Sequence, residues 1–422
     1  MKDRKFSADV AWTLATRLLM IVNSVAAGII VAHWLGAKGV GELAVVNVAV
    51  TTIAQLGSFG LPSSNTYFIA QDRTHFRAAT INSLLFATVV GSVFALALSG
   101  VASLRPDWFG FVPTELIRIA SVQIPFLLLT LIGLNILLAL RKVREFNLLD
   151  LVGQSFVLVN ALLVLIVLRQ GIDVLVTLNT ITTVLVSLVV VGLLVAAGKK
   201  AIDSKWRADA AFLRRMIAYG LKFHISVLAG VIIFRADLLI VNHFRTPEEA
   251  GVYSVATQFG LLLMLLPGVI ATLLFPRVTA EQDAHGATTW LVTKHTALIM
   301  LVCCLAAVPV SFLLPLVYGP AFAEATTLLL ILLPGVYLVG LESVLVQHFN
   351  ARGLPRMIPV YWLVTLVVNL ALVFALVPQF GAYGAAIAST VSYALIFALV
   401  AFYFVATTRR SVPAAARGSL RG

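Results

Sequence analysis

The sequence predicts an all-α integral membrane protein of about twelve transmembrane helices, arranged as two six-helix lobes with both termini cytoplasmic. Composition, the spacing of apolar runs and the placement of basic residues carry that prediction. Of 422 residues, 60% are hydrophobic and 11% are charged. A soluble domain carries about 25% charged residues, and a disordered chain needs low hydrophobicity. The apolar surface must therefore face lipid or other helices. The formal net charge of +12 would suggest nucleic acid in a soluble protein. Here Lys and Arg fall in short segments between apolar runs, so they read as topology signals and no nucleic-acid partner is expected.

Crossing the hydrocarbon takes roughly 20 mostly apolar residues. Such windows lie at 10–35, 43–70, 78–103, 116–140, 147–169, 173–197, 217–243, 250–275, 291–316, 325–349, 357–378 and 383–406. The first, led by Lys2-Asp3-Arg4-Lys5, begins like a signal peptide, but the run is too long and no small-residue cleavage site follows, so it reads as the first span. Assigning the connecting segments alternately to the two sides gathers Lys2, Arg4, Lys5, Arg73, Arg77, Arg141, Lys142, Arg144, six basic residues between Lys199 and Arg215, Arg277, Arg352, Arg356, Arg409, Arg410, Arg417 and Arg421 on one side. The other holds only Lys38, Arg105, Arg118, Arg169 and Arg245. Cytoplasmic loops carry the Lys/Arg excess, which places both termini in the cytoplasm. Trp12, Trp34, Trp108, Trp206 and Trp362 fall near span ends, where an interfacial aromatic belt would put them.

The longest loop, near 198–216, divides the chain. We expect an N-terminal lobe over 1–198, a cytoplasmic connector over 199–216, a C-terminal lobe over 217–408 and a basic cytoplasmic tail over 409–422. A shift of 210 residues lays His33 on His243 and Gly41 on Gly251, and sets the loop 37–44 opposite 247–254. Six spans per half start both halves on the same side. The pattern is that of a parallel repeat about an axis along the membrane normal, suited to two lobes rocking around a central cavity.

Catalytic and cofactor motifs fail on context. Gly39-Val40-Gly41-Glu42-Leu43-Ala44 fits GxGxxA but lacks the strand and βαβ unit a dinucleotide site needs, so we read a tight turn. Between Gly192 and Lys199 the glycine spacing is wrong for a phosphate loop, and Lys200 follows where Ser or Thr is required. No zinc-protease motif, nucleophile elbow or His/Cys cluster occurs, and the loops are too short for a catalytic domain. No enzyme and no bound cofactor or metal is expected. Cys303 and Cys304, adjacent in an apolar run, read as free thiols.

Charges inside spans are costly and face a hydrated interior or a partner. On the first span Thr13, Arg17, Ser24 and Gly28 form a polar, small-residue stripe. Arg17 either looks into that interior or snorkels to the headgroups. Arg235 and Asp237 in the seventh span are two residues apart, so they point to different sides and each needs its own partner. Lys222, Ser226, Gly230 and Asp237 share one stripe, which suits a polar interior. Glu342 in the tenth span either holds a coupling proton or cation or pairs with Arg17 or another buried base. Asn23, Gln123, Asn160, Asn369 and similar residues read as helix–helix hydrogen-bond partners. Pro62, Pro125, Pro267, Pro334 and Pro359 supply bends that transporters use as flexing points.

Several segments carry a family resemblance. They are His33-Trp34-Leu35-Gly36 with Gly39-Val40-Gly41, Arg235-Ala236-Asp237, Ala250-Gly251-Val252-Tyr253-Ser254-Val255-Ala256, Leu274-Phe275-Pro276, Val317-Tyr318-Gly319-Pro320-Ala321-Phe322, and Asn369 with Val377-Pro378-Gln379-Phe380-Gly381-Ala382-Tyr383-Gly384-Ala385-Ala386-Ile387-Ala388. In this order the chain resembles the multidrug/oligosaccharidyl-lipid/polysaccharide (MOP) exporter superfamily, and within it the Wzx-type polysaccharide biosynthesis flippases. That resemblance implies a MATE-like pair of lobes and a lipid-linked oligosaccharide substrate on a polyprenyl diphosphate, moved across a bacterial cytoplasmic membrane by alternating access. Arg17 and Arg235 are then candidates for the diphosphate. Asp237 and Glu342 are candidates for proton or sodium coupling or a cavity ion pair. Membrane lipids and glycan polymerases are the implied partners. The alternatives are a drug/cation antiporter of the same superfamily and a membrane glycan polymerase or ligase.

The charge asymmetry makes a direct prediction. A cysteine at Lys38 is labelled by a membrane-impermeant thiol reagent in intact cells, whereas one at Lys142 is labelled only after permeabilisation. The reverse pattern inverts the topology.

Overall fold

In the computed structural model, residues 2–199, 207–281, 286–353 and 355–410 are described, and every regular element among them is helical. Residues 200–206 of the expected connector, including Trp206, and the tail beyond residue 410 lie outside these residues. The chain packs as two compact units, one of residues 1–231 with 245–251 and one of 232–244 with 252–422.

Unit 1 begins with α1 (Lys2–Gly57), two helices joined across Gly36, whose φ of 65° and ψ of −172° leave helical space. A Cβ at Gly36 would meet nothing within 4 Å, so glycine stands there for its backbone freedom and not for room. The tight turn expected at Gly39 to Gly41 is absent. Both residues are helical, and the break falls three residues earlier. Next come α2 (Leu61–Gln71), α3 (Phe76–Leu104), α4 (Thr114–Ser121), α5 (Gln123–Ala139), α6 (Val143–Ala161) with a π-helical extension Leu162–Val167, α7 (Ile172–Lys199), and the first part of α8 (Ala210–Phe244).

Unit 2 takes the rest of α8, most of α9 (Pro247–Leu263), α10 (Leu265–Glu281), α11 (Ala287–Ser311), α12 (Leu314–Tyr318), α13 (Ala323–Leu345), α14 (Gln347–Asn350), α15 (Met357–Phe380) and α16 (Ala382–Arg410).

Among the described residues, ten helices are long and apolar enough to cross a membrane, or eleven if α4 and α5, bent by 40°, form one span. The longest candidate, Trp12–Gly57, has 46 residues. At 1.5 Å per residue it would reach about 70 Å, more than two bilayer cores. Its two arms on either side of Gly36 are each of spanning length, which brings the count to the twelve crossings expected.

The centre of unit 1 is α5. Ile124, Leu128, Ile132 and Ile136 recur every fourth residue and are fully buried, a single helix face enclosed by its neighbours. Pro125 falls in the first turn of α5, where its missing N–H leaves no helical bond unmade. Close approach of α3 is set by Gly91. A Cβ there would collide with Pro125 Cα and come within 2.9 Å of Pro125 Cβ. In unit 2, α13 is buried along most of its length, and Gly335 plays the matching part against α16, where an added Cβ would meet Thr390 Cα at 2.7 Å.

Polar side chains between spans pair across helices. Asn65 donates to Ser83 Oγ at 2.8 Å, Gln123 to Thr180 Oγ1 at 2.9 Å, and Asn160 to Asn179 Oδ1 at 2.8 Å. In unit 2, Asn369 donates to Ser392 Oγ at 3.1 Å. Lipid tails are as apolar as leucine, so these bonds and the small-residue contacts, more than hydrophobicity, select which helices touch.

Gly91→Leu is expected to destabilise the purified protein by about 2 kcal/mol or more through overpacking. Gly192→Ala, at a helical site with nothing within 4 Å, should stabilise it by roughly 0.5 kcal/mol. Thermal unfolding in detergent separates the two, and equal midpoints would contradict the α3–α5 contact.

Candidate functional site

The four charged residues singled out in the spans fall into distinct physical states. Arg17 lies on the α1 face that meets α6. Its Nη1 is 3.0 Å from Asp150 Oδ2, with the two side chains 37% and 21% exposed, and the guanidinium sits 6.0 Å from the centroid of the Phe146 ring. The pair belongs to a polar seam between the two helices. One turn earlier Asn147 donates to Thr13 Oγ1 at 2.8 Å, and later Asn23 donates to Ser155 Oγ at 2.8 Å. Of the alternatives open for Glu342, pairing with Arg17 is not the one found: Arg17 pairs with Asp150. Sequence reasoning missed Asp150, although Asn147, Asp150 and Gln154 follow the i, i+3, i+7 rhythm of a single helix face.

Asp237 on α8 is buried, 2% exposed, and its carboxylate is enclosed by donors. Oδ2 accepts from Tyr253 Oη and, at 2.9 Å, from Ser389 Oγ, while Oδ1 accepts the Leu238 N–H at 2.8 Å. Three helices, α8, α9 and α16, thus converge on one carboxylate. A buried carboxylate without such donors would be prohibitively costly. Neither hydroxyl partner was legible in the sequence, because Tyr253 and Ser389 are 16 and 152 residues away.

Arg235, two residues before Asp237, is exposed. It makes no hydrogen bond or ion pair with any described residue, consistent with the two side chains leaving α8 in different directions. Glu342 on α13 is the opposite case. It is 3% exposed, and its Oε1 has no hydrogen-bond partner among the described residues. Next to it on the helix stand Leu341, Val344 and Leu345, all buried. Among the described residues, no group of three or more His, Cys, Asp or Glu is arranged to hold a metal ion. Cys303 and Cys304 are free.

Long broken helices that carry charged side chains within their apolar stretches define a polytopic helical membrane fold. Solved structures agree on that fold. The lipid II flippase MurJ in an inward closed conformation superposes with a TM-score of 0.77 at 14% identity, covering 96% of this chain and 90% of that one. An inward-facing multidrug resistance MATE family transporter of the MOP superfamily gives 0.73 at 14% identity, covering 95% and 98%. The model of a family described as "Polysaccharide biosynthesis protein" matches residues 30–327, well over half of the chain, and the chain belongs to that family. Two curated relatives from Haloferax volcanii are similar to part of it. The probable low-salt glycan biosynthesis flippase Agl15 is 24% identical over 201 residues, 45% of this chain and 42% of the relative. The probable flippase AglR is 27% identical over 167 residues, 38% and 35%. The matches thus span about two fifths or less of either relative's length.

Removing either side of the Asp237 cluster should be costly in proportion to the donors orphaned. Tyr253→Phe is expected to lower stability by about 1.5 kcal/mol and Asp237→Ala by about 3 kcal/mol or more. Unfolding of the detergent-solubilised variants measures both, and a neutral Asp237→Ala would mean that the donors do not depend on the carboxylate.

Proposed function

We propose that the protein is a flippase that carries a polyprenyl-diphosphate-linked oligosaccharide, such as an O-antigen, capsule or exopolysaccharide repeat unit, across the cytoplasmic membrane by alternating access. In this reading both termini face the cytoplasm, the basic segments hold that orientation, and the spans divide into an N-terminal and a C-terminal lobe. Membership of the polysaccharide biosynthesis family supports the substrate class, as does a relative named as a probable low-salt glycan biosynthesis flippase.

The observation that carries the reading is Arg235. A permanent cation in the middle of a span costs about 2.5 to 3.5 kcal/mol. Asp237 acts on this one through space, but no described side chain binds it directly. A diphosphate would, through charge-assisted and bidentate hydrogen bonds that guanidinium is shaped to make. Arg17 contributes to the same recognition with its remaining N–H groups, or by exchanging Asp150 for phosphate. An antiporter of small cations would need acids open to the ligand, whereas Asp237 is enclosed by its three donors. Glu342, with an unmatched oxygen, is the carboxyl available to a coupling proton or sodium ion.

Binding of a labelled undecaprenyl-diphosphate oligosaccharide to the purified protein tests this. Arg235→Ala should weaken affinity about ten-fold or more, the equivalent of roughly 1.4 kcal/mol, and Arg17→Ala by less because its ion pair is lost with it. Unchanged affinity in both variants would sink the diphosphate assignment.

A further inference from the structure

Helix α11 divides into two faces. Thr289, Thr293, Thr296, Met300 and Cys304 are buried within unit 2. Leu291, Leu298, Val302 and Leu305 are exposed, and their spacing of i, i+7, i+11 and i+14 sets them in one stripe on the other side. On a 25-residue helix long and apolar enough to cross a membrane, such a stripe meets acyl chains. Two polar side chains interrupt it. Lys294 and His295 are both exposed and follow Leu291 by three and four residues, so they stand on the lipid side of the helix. Lys294 forms no ion pair with any described residue, and a cation beside hydrocarbon needs a counter-charge.

The surroundings of Lys294 are built. It lies two turns from Ala287, where α11 begins, about 10 Å along the axis. Helical side chains lean back towards the N-terminus, and Lys294 Nζ accordingly stands 5.4 Å from the centroid of the exposed Trp290 ring. Trp290 is itself held, stacked on Phe404 of α16 with centroids 6.3 Å apart and planes at 22°. His295 Nδ1 donates to Leu291 O at 2.8 Å, which fixes the imidazole along the helix and leaves Nε2 uncommitted. At the same end, α16 runs on in sequence from Thr408 to Arg409 and Arg410. Ammonium, indole and imidazole thus gather near one end of α11, with an aliphatic stripe leading away from them. From Lys294 to Leu305 that stripe covers about 16 Å, close to the depth of one leaflet's hydrocarbon.

We propose that this face of α11 is a binding site for one acidic phospholipid, its phosphate held by Lys294 beside Trp290 and His295 and its acyl chain laid along Leu298, Val302 and Leu305. Charge selects the headgroup. A zwitterionic lipid brings its own cation, which competes with Lys294 for the phosphate, and the aromatic face that could take a quaternary ammonium is already covered by the Lys294 ammonium. A lipid such as phosphatidylglycerol brings a phosphate and no cation, so it supplies the missing counter-charge. The site lies on the lipid-facing surface of one unit and does not depend on the substrate or the mechanism of transport.

Native mass spectrometry of the full-length protein, equilibrated with phosphatidylglycerol and phosphatidylcholine of equal chain length, tests the site. The unsubstituted protein should retain phosphatidylglycerol in preference, and Lys294→Gln should lower that retention about five-fold while leaving phosphatidylcholine unchanged. Lys142→Gln, which removes an exposed lysine of unit 1, should have no effect. Equal retention of the two lipids, or the same loss in both variants, would overturn the proposal, the second because it would show only the attraction of a basic protein for anions. Displacement of the bound phosphatidylglycerol by equimolar undecaprenyl phosphate would also overturn it and assign the face to the polyprenyl carrier. So would a dimer that sheds lipid as it forms, since a second copy would then be the occupant. A local readout comes from a variant in which Trp290 is the only tryptophan, the others being replaced by Phe. Its fluorescence should be quenched more by brominated phosphatidylglycerol than by brominated phosphatidylcholine, and Lys294→Gln should erase the difference. Both substituted lysines are exposed, so the mass measurement does not rest on a variant with an altered core.

Discussion

Inside a bilayer core there is no water to complete a hydrogen bond, and every polar group a span carries must find its partner within the protein. Backbone groups are satisfied by helix formation alone. Side chains are not, and their requirements fix the packing. The bond from Gln123 to Thr180 holds α5 against α7 at one rotation of each helix, and that from Asn160 to Asn179 does the same for α6 and α7. Asn369 and Ser392 serve α15 and α16. An aliphatic helix could rotate among lipid tails at little cost, so such pairs supply the specificity that burial supplies in a soluble core. Glycine adds the complementary element. At Gly91 and Gly335 the absence of a side chain lets backbones approach to distances at which dispersion contacts accumulate.

Charged groups obey the same rule with higher stakes. The Arg17–Asp150 pair is partly exposed, and an exposed pair contributes little net stability. Its effect is to hold α1 and α6 in register together with the Thr13–Asn147 and Asn23–Ser155 bonds on either side. Asp237 is met by hydroxyl and amide donors and not by a cation. Neutral donors thus gather α8, α9 and α16 on one carboxyl group without a cation in contact with it.

The fold was largely legible because hydropathy is a property of long windows, insensitive to any one residue. Among the described residues the helical spans follow from spacing alone. Local breaks were less so. Gly39-Val40-Gly41 looks like a turn by composition, yet these residues continue a helix and the turn is taken by Gly36, because φ is chosen by the whole chain path and two glycines within a helix can serve close contact instead. The candidate site was legible as a set of costly residues but not as a set of partners. Arg17, Arg235, Asp237 and Glu342 announce themselves by charge. Asp150, Tyr253 and Ser389 do not, since pairing between helices depends on rotations that a single sequence leaves open.

The arrangement around α8 shows how two adjacent charges are kept from cancelling. Arg235 and Asp237 are close enough in sequence that a flexible chain would bring them together. On a helix, residues two apart lie about 200° apart around the axis, and the Asp237 oxygens are already engaged by Tyr253, Ser389 and the Leu238 amide. Breaking those bonds to reach the guanidinium would orphan two buried hydroxyls, at a cost comparable to what the ion pair would return. The cage therefore does more than tolerate a buried acid. By occupying the one carboxylate that α8 itself could offer, it leaves the Arg235 guanidinium without a hydrogen bond or ion pair to any described residue, which is the condition a group must meet to recognise an anion that arrives from elsewhere.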